Sequence, residues 1–144
     1  MRALVTGATG FVGGALVRAL VARGDQIRVL ARTTSKTAAL EALGVDIARG
    51  DILDRASIAS ALDGCDTLFH AAALYDLWGL DKAELTATET EGTRNAMEAA
   101  LSAGLAKVVY TSTAVAIGEA KGQVATEATT HRGHHPPRLL SLQL

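Results

Sequence analysis

Three glycines spaced three residues apart near the start of the chain constrain its fold more than any other feature. Gly7, Gly10 and Gly13 follow directly on an apolar run, Arg2–Thr6, which has the length and composition of a short buried strand. The residues after Gly10 follow helical spacing. Because Gly7 permits a tight turn and Gly13 lets a helix pack close to a strand, this segment predicts a strand-turn-helix unit.

The alternation of strands and helices continues along the chain. Strands are predicted at Arg2–Thr6, Gln26–Ala31, Val45–Ala48, Asp66–His70 and Lys107–Thr111. Helices are predicted with an apolar face of Val12, Ala15, Leu16, Ala19 and Leu20, over Thr37–Leu43, after an N-cap at Asp54, and from a cap at Asp81 to about Ser102. Such alternation with short connections forms a parallel sheet with helices on both faces. We therefore expect an α/β fold, a Rossmann-type doubly wound parallel sheet in strand order 3-2-1-4-5.

Composition excludes several classes of partner and location. The 144 residues suit one domain, and 14 Lys and Arg against 15 Asp and Glu give a net charge of −1, so neither a nucleic acid nor an anionic membrane is an expected partner. One cysteine, Cys65, excludes an internal disulfide. No run of 18 apolar residues could span a membrane, and Gly7 arrives too early for a signal-peptide core. We expect a cytoplasmic domain.

The glycine turn has the features of a phosphate-binding site. Gly10 would let the backbone approach a pyrophosphate, while the amides at the start of the helix would donate to it. The spacing is one residue longer than the G-x-G-x-x-G pattern of dinucleotide-binding folds, and Val12 and Gly13 stand where a P-loop needs its second glycine and its lysine. A glycine-rich packing turn that binds no ligand is the alternative.

The end of the second strand bears on the choice of cofactor. An acidic side chain there would bind the free ribose hydroxyls of NAD, but none occurs between Gln26 and Lys36. Arg32 stands at the strand end instead, and a guanidinium can hold a 2′-phosphate with two parallel hydrogen bonds. The sequence therefore favours NADP over NAD, the alternative for Arg32 being an ordinary exposed loop arginine.

Five segments, in order, carry a family resemblance. They are Thr6–Gly13, Gly50–Asp54, Phe69–Ala73, Glu91–Asn95 and Val109–Thr113. Together they resemble the extended short-chain dehydrogenases/reductases, also described as the NAD(P)-dependent epimerase/dehydratase family. Within that family the chain is most similar to the branch of hopanoid-associated sugar epimerases and dihydroflavonol-reductase-like enzymes. The resemblance runs from residue 1 to about 118.

The resemblance implies a set of cofactor contacts. Asp51 and Ile52 would contact adenine, and the end of the fourth strand would back the cofactor. With Arg32, the implied cofactor-binding residues are Gly7, Thr9, Gly10, Phe11, Val12, Gly13, Arg32, Asp51, Ile52, Ala71 and Ala72. Two alternatives stay open: Asp51 could serve only to initiate a turn, and His70 could be a buried, hydrogen-bonded strand histidine instead of a cofactor contact.

The resemblance also implies hydride transfer between a nicotinamide and a substrate carbon that bears a hydroxyl or a ketone. Thr113 stands where the family has the Ser or Thr that hydrogen-bonds the substrate oxygen, and is the expected catalytic residue. The family's Tyr-x-x-x-Lys pair is missing, because the only tyrosines, Tyr75 and Tyr110, are followed four residues later by Gly79 and Ala114. A further departure is Glu89, where the family's helix usually has asparagine.

Taken together, the sequence predicts an NAD(P)-binding Rossmann domain over residues 1–118 and a divergent, mobile tail over residues 119–144. The parent activity would be that of a sugar epimerase/dehydratase or a ketone reductase acting on a sugar-like or small hydroxylated substrate. The sixth strand and the substrate-binding half of the family's fold are missing from these 144 residues, so we expect a truncated domain that is inactive alone. A non-catalytic NADP-binding sensor or interaction module is the alternative. The tail histidines match no metal-site spacing, no metal is expected, and a homodimer is left open.

Overall fold

A computed structural model describes residues 1–74 and 87–113, together with Val124, Thr126 and Thr129. The strands of this part are β1 (Arg2–Thr6), β2 (Gln26–Ala31), β3 (Asp46–Arg49), β4 (Thr67–His70) and β5 (Lys107–Tyr110). They form one parallel sheet in the order β3-β2-β1-β4-β5. The predicted doubly wound sheet and its strand order are therefore confirmed.

The helices lie between the strands, as the alternation predicted. They are α1 (Phe11–Ala22), α2 (Ala38–Glu41), α3 (Arg55–Leu62), and a π-helical turn (Ala87–Gly92) that leads into α4 (Thr93–Ser102). The predicted cap of α3 is confirmed, since the Asp54 side chain accepts a hydrogen bond of 3.0 Å from the Ala56 amide. The cap predicted at Asp81 lies outside the described residues. None of the helices in the described ranges is long and apolar enough to cross a membrane.

Two hydrophobic cores lie on opposite faces of the sheet. Alternate residues of β1 enter different cores, with Ala3 and Val5 in one and Leu4 in the other, as the period of a strand requires. The first core contains residues of α1 and α2, and the second contains residues of α3 and α4. Because both faces are covered, β1 reads as a continuous apolar run and not as an alternating one.

The predicted buried face of α1 is wrong for most of its members. Val12, Ala15 and Ala19 are exposed and Leu16 is half-buried, so of the predicted face only Leu20 is fully buried, together with Gly13, Gly14 and Val17. The buried face contains glycines because the helix passes very close to the turn before it. A Cβ at Gly13 would overlap the Gly7 carbonyl group. The helix is apolar around most of its circumference, so the i, i+3, i+4 spacing of apolar residues fits several different faces of the helix equally well.

Element boundaries differ from the predicted ones by a few residues. β3 begins at Asp46 instead of Val45, and α2 ends at Glu41 instead of Leu43. The α2 helix is shorter because Leu43 and Gly44 donate to carbonyls three residues back, which is the hydrogen bonding of a tightened final turn.

The chain divides into two compact units. Residues 1–75 and 81–110 form the first, which contains the whole sheet. Residues 76–80 and 111–144 form the second, in which the Thr126 amide donates a hydrogen bond of 2.9 Å to the Thr129 hydroxyl. The domain boundary predicted at residue 118 stays a prediction.

Candidate cofactor-binding site

A cleft of about 310 Å³ opens at the carboxyl ends of the strands. It lies where β1 separates β2 from β4, the point at which chain connections reverse direction and at which doubly wound sheets bind their ligands. Eight of the residues predicted for a cofactor site line it: Gly7, Thr9, Gly10, Arg32, Asp51, Ile52, Ala71 and Ala72. Phe11 and Val12 are exposed and do not line it, and Gly13 is buried in the first turn of α1.

The glycines of the turn have two different reasons to be glycine. At Gly7, which has a φ of +74°, a Cβ would overlap the Ala71 carbonyl, and at Gly13 it would overlap the Gly7 carbonyl. At Gly10 a Cβ would have only the Gly7 oxygen within 4 Å, at 3.3 Å. Protein packing therefore requires Gly7 and Gly13, whereas the missing side chain of Gly10 leaves open space at the cleft.

The start of α1 suits an anion. Its N-cap is Gly10, no side-chain hydrogen bond caps it within the described residues, and its first turn has no acidic residue. α3, by contrast, is capped by the Asp54 carboxylate. The uncapped end brings backbone amides and the positive end of the helix dipole to the cleft. A pyrophosphate fits this combination of open space and donors.

An acidic turn after β3 forms another wall of the cleft. Asp51 lines the cleft, and one of its carboxylate oxygens accepts a hydrogen bond of 3.0 Å from the Leu53 amide. The Asp51 amide donates to the Ser57 hydroxyl at 3.1 Å. Asp51 therefore does initiate a turn, and its place on the cleft also leaves it available to a ligand.

The Asn95 side chain of α4 supports this turn. The Asn95 amide group donates to the carbonyls of Ile52 and Leu53 at 3.1 and 3.2 Å. Gly92 allows the approach, because a Cβ there would lie 2.6 Å from Ile52 Cδ1. Both residues lie in the segment Glu91–Asn95 that resembles a family motif, but the sequence predicted no role for either. Spacing within α4 offers no signal for that role, which depends on how α4 approaches the turn.

The loop after β2 carries the predicted phosphate contact. Arg32 and Ser35 line the cleft, and the Ser35 amide donates to the Arg32 carbonyl at 3.0 Å. The Arg49 guanidinium donates to the Arg32 carbonyl at 3.0 Å and to the Thr37 hydroxyl at 2.6 Å. Arg49 is not among the site residues predicted from the sequence. The available signal was a cation at the end of β3, since parallel strands in order 3-2-1 bring that end beside the end of β2.

His70 is a buried structural histidine. It is 1% exposed, its Nδ1 lies 2.8 Å from Thr6 Oγ1, and its Nε2 lies 3.4 Å from Thr93 Oγ1. Its ring stacks on Tyr110 with a centroid distance of 5.6 Å. Burial lowers the pKa of the imidazole, which favours the neutral form. His70 does not line the cleft, so the buried-histidine alternative describes it best.

Glu89 supports the segment after β4. Its carboxylate accepts a hydrogen bond of 2.8 Å from the Leu74 amide. Leu74 and Thr88 both line the cleft, so this bond joins two parts of its wall. Glu89, which stands where the family usually has asparagine, therefore stabilises the wall of the cleft.

The catalytic residue predicted after β5 does not belong to the compact unit that contains the sheet. Thr113 comes three residues after β5 and belongs to the second compact unit, so its catalytic role stays a prediction. Tyr75 lies outside the described residues, as do the histidines at 131, 134 and 135. No group of His, Cys, Asp or Glu within the described residues could hold a metal ion.

Comparison with known proteins extends these observations. A family model described as the 3-beta hydroxysteroid dehydrogenase/isomerase family matches residues 4–138. Sterol demethylase protein B of Methylococcus capsulatus is 47% identical over 118 residues, and a putative dihydroflavonol 4-reductase of a Synechocystis species is 43% identical over 125 residues. These alignments cover 82% and 86% of this chain but 36% of each relative. The chain thus spans about a third of the length of these relatives.

A solved structure gives a similar result. The UDP-glucose 4-epimerase of Thermus thermophilus, in complex with NAD, is 30% identical and superposes with a TM-score of 0.74. The match covers 92% of this chain and 44% of the epimerase chain. The fold described here is therefore shared with a protein whose solved structure contains NAD.

Proposed function

The chain belongs to the 3-beta hydroxysteroid dehydrogenase/isomerase family, and from that membership we propose that it is the cofactor-binding portion of an NAD(P)-dependent reductase or epimerase. The observation that carries the proposal is the cleft at the carboxyl ends of β1, β2 and β4, with Gly10 and the uncapped start of α1 on its wall. Open space, amide donors and a positive helix end are what a pyrophosphate needs.

Each part of the dinucleotide has a proposed set of partners. The pyrophosphate would lie on the turn, held by the backbone of Gly7, Thr9 and Gly10, with Phe11, Val12 and Gly13 contributing the first turn of α1. Asp51 and Ile52 would contact adenine. Ala71 and Ala72 would back the nicotinamide half, where small side chains leave room for a ring.

We further propose that NADP is preferred over NAD. Arg32 is exposed on the cleft, and the sequence from Gln26 to Lys36 contains no acid to bind free ribose hydroxyls. A guanidinium that can form paired hydrogen bonds to a 2′-phosphate supports this preference.

The proposed chemistry is transfer of a hydride, which the bound nicotinamide supplies or accepts at a substrate carbon bearing a hydroxyl or ketone. The substrate class would be a sugar-like or small hydroxylated compound. Thr113 would donate a hydrogen bond to the substrate oxygen. The 144 residues contain no Tyr-x-x-x-Lys pair, so we propose that residues 1–118 bind cofactor and that the chain alone does not turn over substrate.

Calorimetric titration of the 144-residue chain with NADP⁺ and with NAD⁺ tests the proposal. We expect both to bind and NADP⁺ to bind more tightly. If neither dinucleotide binds, the proposed cofactor site is rejected. Tighter binding of NAD⁺ would reject only the NADP preference. Steady oxidation of NADPH by the pure chain with a ketone substrate would overturn the proposed inactivity.

A further inference from the structure

We propose that Arg49 is a positioning residue that sets the preference for a dinucleotide carrying a 2′-phosphate, by holding the loop that presents Arg32. The inference rests on the proposed function, because it takes the cleft to be the dinucleotide site. Arg49 is not among the described residues that line the cleft, so it would act through the loop and not as a direct ligand.

The sheet register brings Arg49 to this loop. Arg49 is the last residue of β3 and pairs with Ala31, the last residue of β2. The Gly50 amide donates to the Ala31 carbonyl at 3.1 Å, which extends the pairing one residue further. The side chain of Arg49 therefore begins beside the point at which the chain leaves β2 for the Arg32 loop.

The guanidinium binds both ends of the loop. Nη1 donates to the carbonyl of Arg32 at 3.0 Å and reaches the carbonyl of Ser35 at 3.4 Å. Nη2 donates to the Thr37 hydroxyl at 2.6 Å. A planar group with several fixed donors can make these bonds at once, which a single ammonium group cannot match in geometry.

The far end of this network is anchored in α2. Thr37, which is buried, donates its hydroxyl proton to the Glu41 carboxylate at 2.6 Å. Arg49 Nη2 lies 3.7 Å from the same carboxylate. The loop is thereby fixed to the end of one strand and to the start of a helix.

Fixing the loop matters because Arg32 is itself exposed. A long, exposed side chain loses conformational freedom when it binds, and a pre-ordered backbone reduces that cost. NADP and NAD differ only in the 2′-phosphate. An effect transmitted through this loop should therefore change the affinity for NADP and leave that for NAD unchanged.

The test compares ligands with and without the 2′-phosphate on Arg49→Met in the 144-residue chain. Calorimetry would measure NADP⁺ against NAD⁺, and adenosine 2′,5′-bisphosphate against 5′-AMP. We expect about a tenfold loss for the two ligands that carry the 2′-phosphate, the size of one charge-assisted contact, and changes within about twofold for the other two. Arg49→Lys should retain part of the affinity for these two ligands that Arg49→Met loses. Arg55→Met is the matched control, since Arg55 binds Glu98 and Ser102 away from the cleft.

Combining Arg49→Met with Arg32→Met distinguishes positioning from direct contact. If Arg49 acts through Arg32, the double variant should bind NADP⁺ as weakly as Arg32→Met alone. Additive losses would instead mean that Arg49 contacts the phosphate, and equal losses for NAD⁺ and NADP⁺ would mean a general structural role. Either result, or unchanged binding by Arg49→Met and Arg49→Lys, overturns the inference while leaving the cofactor site intact. Wild-type protein that binds no dinucleotide overturns the proposed function itself, and the inference with it.

Discussion

At the scale of single residues, substitutions at Gly10 and Gly13 should have different effects, the first on dinucleotide binding and the second on folding stability. Gly10 has a φ of −87° and a ψ of 177°, which alanine can adopt, and its Cβ would have only one near neighbour. We expect Gly10→Ala to fold with a loss of less than about 1 kcal/mol and to bind NADP⁺ at least about tenfold more weakly, because its methyl group would occupy the pyrophosphate space.

Gly13→Ala is the counterpart, because its methyl group would meet the Gly7 backbone. Overpacking of this kind should lower the free energy of unfolding by about 1–3 kcal/mol. Urea unfolding and calorimetric titration of both variants would check the pair. Normal dinucleotide affinity in Gly10→Ala would contradict the proposed place of the pyrophosphate.

His70 predicts a pH dependence of stability. Burial lowers its pKa in the folded protein below the ordinary value of 6.5, so the unfolded chain takes up the proton first as the pH falls. The stability from the neutral imidazole is therefore complete above about pH 6.5 and declines toward lower pH, by at most about 1.4 kcal/mol per pH unit.

The measurement is urea unfolding between pH 8 and pH 5, for the wild type and for His70→Gln. The slope at mildly acidic pH should disappear in the variant. Asp25 and Asp66 also have lowered pKa values in the folded protein, but their ordinary value is 3.8, so their contribution falls at lower pH. Equal slopes in the two proteins would assign the pH dependence to other groups.

At the scale of elements, α4 holds the acidic turn through Asn95. Asn95→Ala removes two hydrogen bonds to the carbonyls of Ile52 and Leu53. We expect a loss of about 1–2 kcal/mol in unfolding free energy and weaker binding of 5′-AMP, since Ile52 belongs to the proposed adenine site. Arg55→Ala, which breaks a surface ion pair with Glu98, should cost less than about 1 kcal/mol and leave AMP binding unchanged. Unchanged AMP binding in Asn95→Ala would mean that the support of the acidic turn by Asn95 does not affect the adenine site.

Elements differ in how far the sequence predicts them. β1 and β2 match their predicted bounds, because each is a short, mostly apolar run with a glycine close to one end, Gly7 after β1 and Gly24 before β2. Both ends of α3 were predictable, because Asp54 caps its start and Gly64, with a φ of +69°, follows its C-cap. The buried face of α1 was not predictable. Its contacts depend on the close approach of glycines to the preceding turn, which hydrophobic periodicity does not record.

At the scale of the whole molecule, the strand order and the family resemblance are both confirmed. General rules of handedness and connection determine the order, and the order in turn determines where the cleft opens. The side chains that support the walls of the cleft were not predicted from the sequence. Arg49, Asn95 and Glu89 bind backbone groups 14 to 43 residues away in sequence, so their roles arise only from register and helix packing.

The outer strand of the sheet predicts how the molecule behaves in solution. Within the described residues β5 pairs only with β4, and Val108, Val109 and Tyr110 are 40%, 37% and 47% exposed. An apolar strand at the edge of a sheet offers unpaired backbone groups to a second copy. We expect self-association that increases with protein concentration in sedimentation velocity measurements. Val109→Lys should reduce it, because a lysine on an edge strand opposes strand pairing without altering the cleft, whereas Arg55→Lys should have no effect. A wild type that stays monomeric at all concentrations would mean that β5 is not the contact surface.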